Sequence, residues 1–120
     1  MQVDPEWPVE LRFRKDAREL AIRFEDGRQG VIPYELLRVE SPSAETKGHG
    51  GTRPPPPSGK RNVGVRGAEL VGRYAVRVQF DDGHDTGLYS WRYLRELADG
   101  RDARMAAYEA RMAELGLPRG

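Results

Sequence analysis

The sequence predicts an α+β domain, predominantly antiparallel β, made of two related strand-turn-strand-helix units and a C-terminal helix. Three observations carry that prediction. The stretch FEDGRQGVIPYELLR (24–38) returns as FDDGHDTGLYSWRYLR (80–95) with one inserted residue after the first glycine. Apolar residues alternate with polar ones just before each copy, in ELAIRF and YAVRVQF. After Gly100 the pattern changes to helical spacing.

Each element has a local reason. Alternation in AIRF and AVRVQF is the period of a half-buried strand. Asp26-Gly27 and Asp82-Gly83 supply the positive φ that tight hairpins demand. Upstream, VELRFRKDARELAIRF predicts a further hairpin around residues 15–17, and NVGVRGAELVGRYAVRVQF predicts its counterpart. Pro33 suits the first turn of a helix, where its missing N–H is not needed. Ser90 holds the equivalent place as N-cap of WRYLREL. Beyond the insertion Gly30 aligns with Gly87, Leu37 with Leu94 and Arg38 with Arg95. Residues 101–116 form the closing helix, with Asp102 as the expected N-cap and Gly116 and Pro118 as its stop. Its apolar stripe is Met105, Tyr108, Met112 and Leu115, which is expected to pack on its own domain.

Residues 1–120 are expected to form one domain with two units sharing one core. Between the units, residues 42–62 make a Gly/Pro-rich loop without apolar periodicity. Its Pro54–Pro57 run favours polyproline II, read more simply as a stiff connector than as a docking peptide.

Composition excludes several classes. Twenty Lys+Arg against nineteen Asp+Glu leave a formal charge of +1, too balanced to favour nucleic acid or an anionic membrane. Zero cysteines remove disulfides, thiol catalysis and thiolate metal sites. The start, MQVDPEWPVELRF, has acids and prolines where a secretory leader needs a basic start and an apolar run, so a cytoplasmic protein is expected.

The segment FDDGHDTGLYSW (80–91) concentrates what chemistry there is. Counted as an EF-hand from Asp81, it has Gly83 third, Thr86 sixth and Arg92 twelfth, and fails at each. SGKR is no phosphate loop, because Pro54 stands where the first glycine belongs and Arg61 where the hydroxyl belongs. Ser90, His84 and Asp85 compose a triad only on paper, without a nucleophile elbow. Two histidines, His49 and His84, with Glu45, Asp82 or Asp85, leave metal binding as an alternative.

LRVESPSAETKGHG and FDDGHDTGLYSWRYL together resemble the gamma-butyrobetaine hydroxylase-like N-terminal domain family, over roughly residues 9–97. The resemblance implies a small, predominantly β, α+β domain of unknown function. Members stand alone, are attached to Mrp-type iron–sulfur carrier ATPases, or precede carnitine-pathway oxygenases. In those oxygenases the domain holds a structural zinc through three cysteines and a histidine. The matching positions here are Ser41, Ser43, Thr46 and His84, so three ligands are neutral hydroxyls, poor for zinc. The oxygenase activity belongs to a separate, larger domain and is not inherited.

The expected function is therefore a non-enzymatic accessory or protein-interaction module serving iron–sulfur or carnitine-type metabolism. Its expected partner is an Mrp-type carrier or a metabolic enzyme, with no nucleic acid and no membrane. The contact residues are expected among Arg38, Ser41, Ser43, His84, Tyr89 and Trp91. Alternation buries at least one of those two aromatics. The alternative function is a small metal-binding domain using His84 and His49 for zinc or iron. His84 and Thr86 are expected to fasten the second turn to the loop over residues 41–50.

Overall fold

A computed structural model describes residues 8–42, 57–85 and 87–119. The first unit is β1 (Pro8–Arg14), β2 (Glu19–Phe24), β3 (Gln29–Pro33) and the short helix α1 (Tyr34–Val39). The second is β4 (Val65–Val71), β5 (Ala75–Phe80), β6 (Gly87–Ser90) and α2 (Trp91–Asp99), followed by α3 (Arg101–Leu115). Each unit is an antiparallel meander with strand order β1-β2-β3 or β4-β5-β6, and the two remain separate sheets.

The register bears out the duplication. Ile22 pairs with Gly30 in one sheet, and Val78 pairs with Gly87 at the same place in the other. Both outer hairpins carry an irregularity next to a phenylalanine, at Pro8/Glu10 opposite Phe24 and at Val65/Gly67 opposite Phe80. The Asp-Gly turns match bond for bond. The Phe24 amide donates to the Arg28 carbonyl at 2.8 Å and the Phe80 amide to His84 at 2.9 Å. The Gly27 and Gly83 amides return to the Phe24 and Phe80 carbonyls at 2.9 and 3.2 Å. Only the glycine of each pair has positive φ, +88° and +92°, which a bulky side chain resists.

Inward alternation builds one core from both sheets. Leu20, Ile22, Phe24 and Ile32 meet Val76, Val78, Phe80 and Tyr89, with Tyr34, Leu36, Leu37, Trp91, Leu94 and Leu97 supplied by the helices. In α3, Tyr108 and Met112 are buried and Met105 packs against the core, while Leu115, the last residue of the expected stripe, is exposed.

Two expected caps move. Pro33 stands one place earlier than the first turn, as the N-cap of α1, without a side-chain cap bond. Asp102 is not the N-cap of α3. Gly100 alone separates α2 from α3, and its carbonyl already accepts the Arg104 amide at 2.9 Å. Asp102 lies in the first turn, pairing with Arg101 at 3.1 Å. Ser90 caps α2 as expected, its hydroxyl accepting the Tyr93 amide at 3.1 Å. Of the Pro54–Pro57 run, only Pro57 falls among the described residues.

The chain after α3 closes the fold with a buried charge. Glu35 of α1 accepts both prongs of the Arg119 guanidinium at 2.9 and 3.0 Å and the Tyr108 hydroxyl at 2.8 Å. Burial works against the Glu35 charge, yet Arg119 and Tyr108 more than offset it and hold the carboxyl below its usual range. The same segment accepts the Gly59 and Arg61 amides on the Pro118 and Arg119 carbonyls, at 2.9 and 2.7 Å. It thereby pins the end of the long loop.

A Cβ on Gly27 or Gly83 would touch nothing within 4 Å, so substitution there tests backbone strain alone. Gly27→Val and Gly83→Val are expected to cost about 1–3 kcal/mol each in urea unfolding, with Asn recovering much of the loss. Arg119→Ala strands the Glu35 carboxylate and is expected to cost about 3 kcal/mol. The double variant Glu35→Gln/Arg119→Ala should lose less than Arg119→Ala alone.

Candidate functional site

The two helices that end the units each carry an arginine at the same position, Arg38 and Arg95, and each reaches across to the other unit's turn. Arg38 Nε donates to Asp82 Oδ2 at 2.7 Å, and Arg95 donates to Asp26 Oδ2 at 3.0 Å. Small residues allow this approach. A Cβ on Gly30 would lie 2.7 Å from the Ala98 Cβ, and one on the equivalent Gly87 would lie 2.7 Å from the Ser41 hydroxyl. Ser41 and Ala98 are themselves equivalent, so the contacts repeat with approximate twofold symmetry.

The symmetry breaks at the corner beside the second turn. In the first unit Arg28 follows the turn glycine and pairs with Asp99 at 3.4 Å. In the second unit His84 holds that place, and its Nε2 lies 2.9 Å from the Ser41 hydroxyl. The His84 amide donates to Asp82 Oδ1 at 3.0 Å, so the aspartate orients the backbone of the turn. The His84 ring also packs on Phe80, centroids 6.1 Å apart. Ser41 is 3% exposed and occupies the end of α1, where its amide reaches the Arg38 carbonyl.

Asp82 is the electrostatic centre of the corner. The turn backbone is open to solvent, but the carboxylate side chain is only 16% exposed, between Arg38 and Lys60, each 2.7 Å away. Burial opposes its ionisation. Lys60, the His84 amide and Arg38 outweigh that and hold the carboxyl at about 2. It is a fixed anion at neutral pH, neutralised by two cations, and unsuited to general base work.

The predicted site residues divide. Arg38, Ser41 and His84 come together. Tyr89 lies beneath them, 0% exposed, its hydroxyl donating to the Leu37 carbonyl. Burial pushes that hydroxyl far above its usual range. Trp91, 7% exposed, sends its indole N–H to the Arg73 carbonyl at 2.7 Å, away from the corner. Both aromatics are thus packing residues and present little surface to a partner. Ser43, Thr46, His49 and Thr86 lie outside the described residues, and among the described ones His84 meets Ser41. Among the described residues no three His, Cys, Asp or Glu side chains converge as a metal site. The paper triad finds Ser90 engaged as a helix cap.

Sequence reasoning missed Lys60. It sits in a loop without periodicity, and only its distance to Asp82 marks it. It likewise missed Glu35 and Arg119, which are separated by 84 positions.

Two related β-meander units, cross-braced by helices and carrying a polar corner, define a small α+β domain class. The chain belongs to the gamma-butyrobetaine hydroxylase-like N-terminal family, whose pattern matches residues 11–95. It is similar to a protein known from an NMR solution structure, with 43% identity over 93% of this chain and 88% of that one, TM-score 0.80. A second NMR structure shows 41% identity over 99% and 89%, TM-score 0.82. A crystal structure from Acidithiobacillus ferrooxidans ATCC 23270, a protein of unknown function in the DUF971 family, shows 37% identity over 80% and 98%, TM-score 0.66. No curated protein matches the chain. No described helix is long and apolar enough to cross a membrane.

The Asp82 carboxyl, near 2 when folded, lies below its ordinary value of 3.8. A depressed carboxyl stabilises the fold above its unfolded pKa and loses that contribution as pH falls through the folded one. Stability should therefore drop by about 1–2 kcal/mol between about pH 4 and pH 2, after allowance for solvent screening. Asp82→Asn should flatten this part of a urea-unfolding pH profile.

Proposed function

We propose that this chain is a non-catalytic accessory module that binds a protein partner through the corner formed by Arg38, Ser41 and His84, with Ser43 a further contact residue expected from the sequence. The observation that supports this is the broken symmetry. Elsewhere the two units repeat turns, braces and close contacts, so the scaffold accounts for those. The Ser41–His84 pair has no such counterpart, since Ala98 and Arg28 hold the equivalent positions. It lies at a surface turn whose carboxylate is already neutralised, a setting for recognition rather than proton transfer. The partner class is an Mrp-type iron–sulfur carrier or a metabolic enzyme of the carnitine type, in the cytoplasm, a reading that rests on the family's associations.

The test is affinity capture from the native cell with the full chain and its His84→Ala and Arg38→Ala variants. A partner held by the wild type and lost by at least about tenfold in His84→Ala supports the proposal. Capture of nothing above background counts against it.

A second reading is metal binding by His84 and His49, favoured by a half-buried imidazole beside Ser41, where the chain continues towards His49. Zinc, nickel and iron(II) are titrated into chelator-treated protein while the His84 ring signals are followed by NMR. Stoichiometric, sub-micromolar binding abolished by His84→Ala would replace the interaction reading with this one.

A further inference from the structure

The outer face of the β1–β3 sheet holds a groove of about 590 Å³ that shares no residue with the Ser41–His84 corner. Arg12 and Arg14 from β1, Arg23 from β2 and Arg101 at the start of α3 line it, with Glu10 as the one lining carboxylate among the described residues. Ala21 and Val31, paired across β2 and β3, give it a small, apolar floor. Its volume falls within the roughly 300–1,000 Å³ typical of small-molecule sites.

The arginines have acidic neighbours, but loosely. Glu10 lies 3.1 Å from Arg12 and 3.7 Å from Arg23, Glu19 lies 3.0 Å from Arg14, and Asp102 lies 3.1 Å from Arg101. Arg101 also donates to the Val31 carbonyl at 3.4 Å. The four arginine side chains are 41–67% exposed, and such surface pairs contribute under about 1 kcal/mol each. A guanidinium carries five N–H donors in a planar fork, more than these acids engage. An incoming dianion can therefore recruit two forks at once.

The second unit supplies an internal control. By the shared register Arg77 stands where Ala21 is, Glu69 where Arg12 is and Gln79 where Arg23 is. There the central position is filled by a side chain already paired with Glu69 at 3.1 Å. The fold itself thus does not require an arginine-lined hollow on this face. The second unit sets Glu69, Arg77 and Gln79 at the matching positions instead.

We propose that this groove binds a small organic polyanion, one carrying two or more carboxylate or phosphate groups. The anionic groups engage Arg12, Arg14, Arg23 and Arg101, and the body rests on Ala21 and Val31. Citrate and pyrophosphate serve as probes, titrated separately into the isotope-labelled full chain at low salt and followed by NMR. Saturable shifts of the arginine side-chain N–H signals and of the Ala21 and Val31 amides are expected with at least one probe. A response to citrate alone assigns carboxylate chemistry, and one to pyrophosphate alone assigns phosphate chemistry. Ala21→Arg, which installs the residue of the second unit, should abolish the saturable shifts with the rest of the spectrum in place. Arg14→Gln and Arg23→Gln should each weaken binding by about tenfold. No saturable shift with either probe up to about 10 mM, or shifts unchanged in Arg14→Gln and Arg23→Gln, would overturn the proposal.

Discussion

The reciprocal arginine–aspartate brace organises this molecule. Two three-stranded sheets that do not join in one ladder must still be held at one mutual orientation, and apolar burial alone is non-directional. Arg38 on Asp82 and Arg95 on Asp26 supply direction, because each spans from one unit's helix to the other unit's turn. Arg95 also lies 4.8 Å above the Phe24 ring, so the same side chain joins the polar brace to the core. The Asp-Gly turn consequently has two tasks. Its glycine bends the chain, and its carboxylate receives the neighbouring unit.

A contact in which one unit's helix meets the other's turn, and the reverse, is what an isologous dimer interface looks like. Here both halves lie in one chain, so the symmetry is free to break. It breaks where His84 and Ser41 replace Arg28 and Ala98, and again where Glu69 and Gln79 stand in the second sheet at the positions of Arg12 and Arg23. Duplicated structure thus serves as a background on which specialised positions stand out. Tyr89 shows the cost of specialisation inside the core. Where the first unit has Ile32, it brings a hydroxyl that must be satisfied, and the Leu37 carbonyl satisfies it.

Much of this was legible in the chain because local physics set it. Period-two alternation, Asp-Gly turns and the Gly30–Gly87 alignment are short-range signals, and the strand registers agree with all three. The approach of His84 to Ser41 was legible only through family resemblance. Arg38 could be named as a contact residue, but not its partner Asp82, because ion pairing across 44 positions leaves no pattern in sequence. Lys60 and the Glu35–Arg119 fork were hidden for the same reason. The cap of α3 was misread because Asp102 is a good N-cap by propensity, whereas the near-continuous passage from α2 through Gly100 satisfies the backbone without it.

The fork between Glu35 and Arg119 also bears on the order of events at the ribosome. The two residues are separated by 84 positions, yet Glu35 sits in the first unit, which leaves the exit tunnel early. Until residue 119 follows, that carboxylate has no guanidinium and its burial is unfavourable. The first unit is also without the Arg95 brace until the second unit has emerged. Completion of the fold therefore waits for residue 119 and is dominated by long-range closure, and until then the core of the first unit is unfinished.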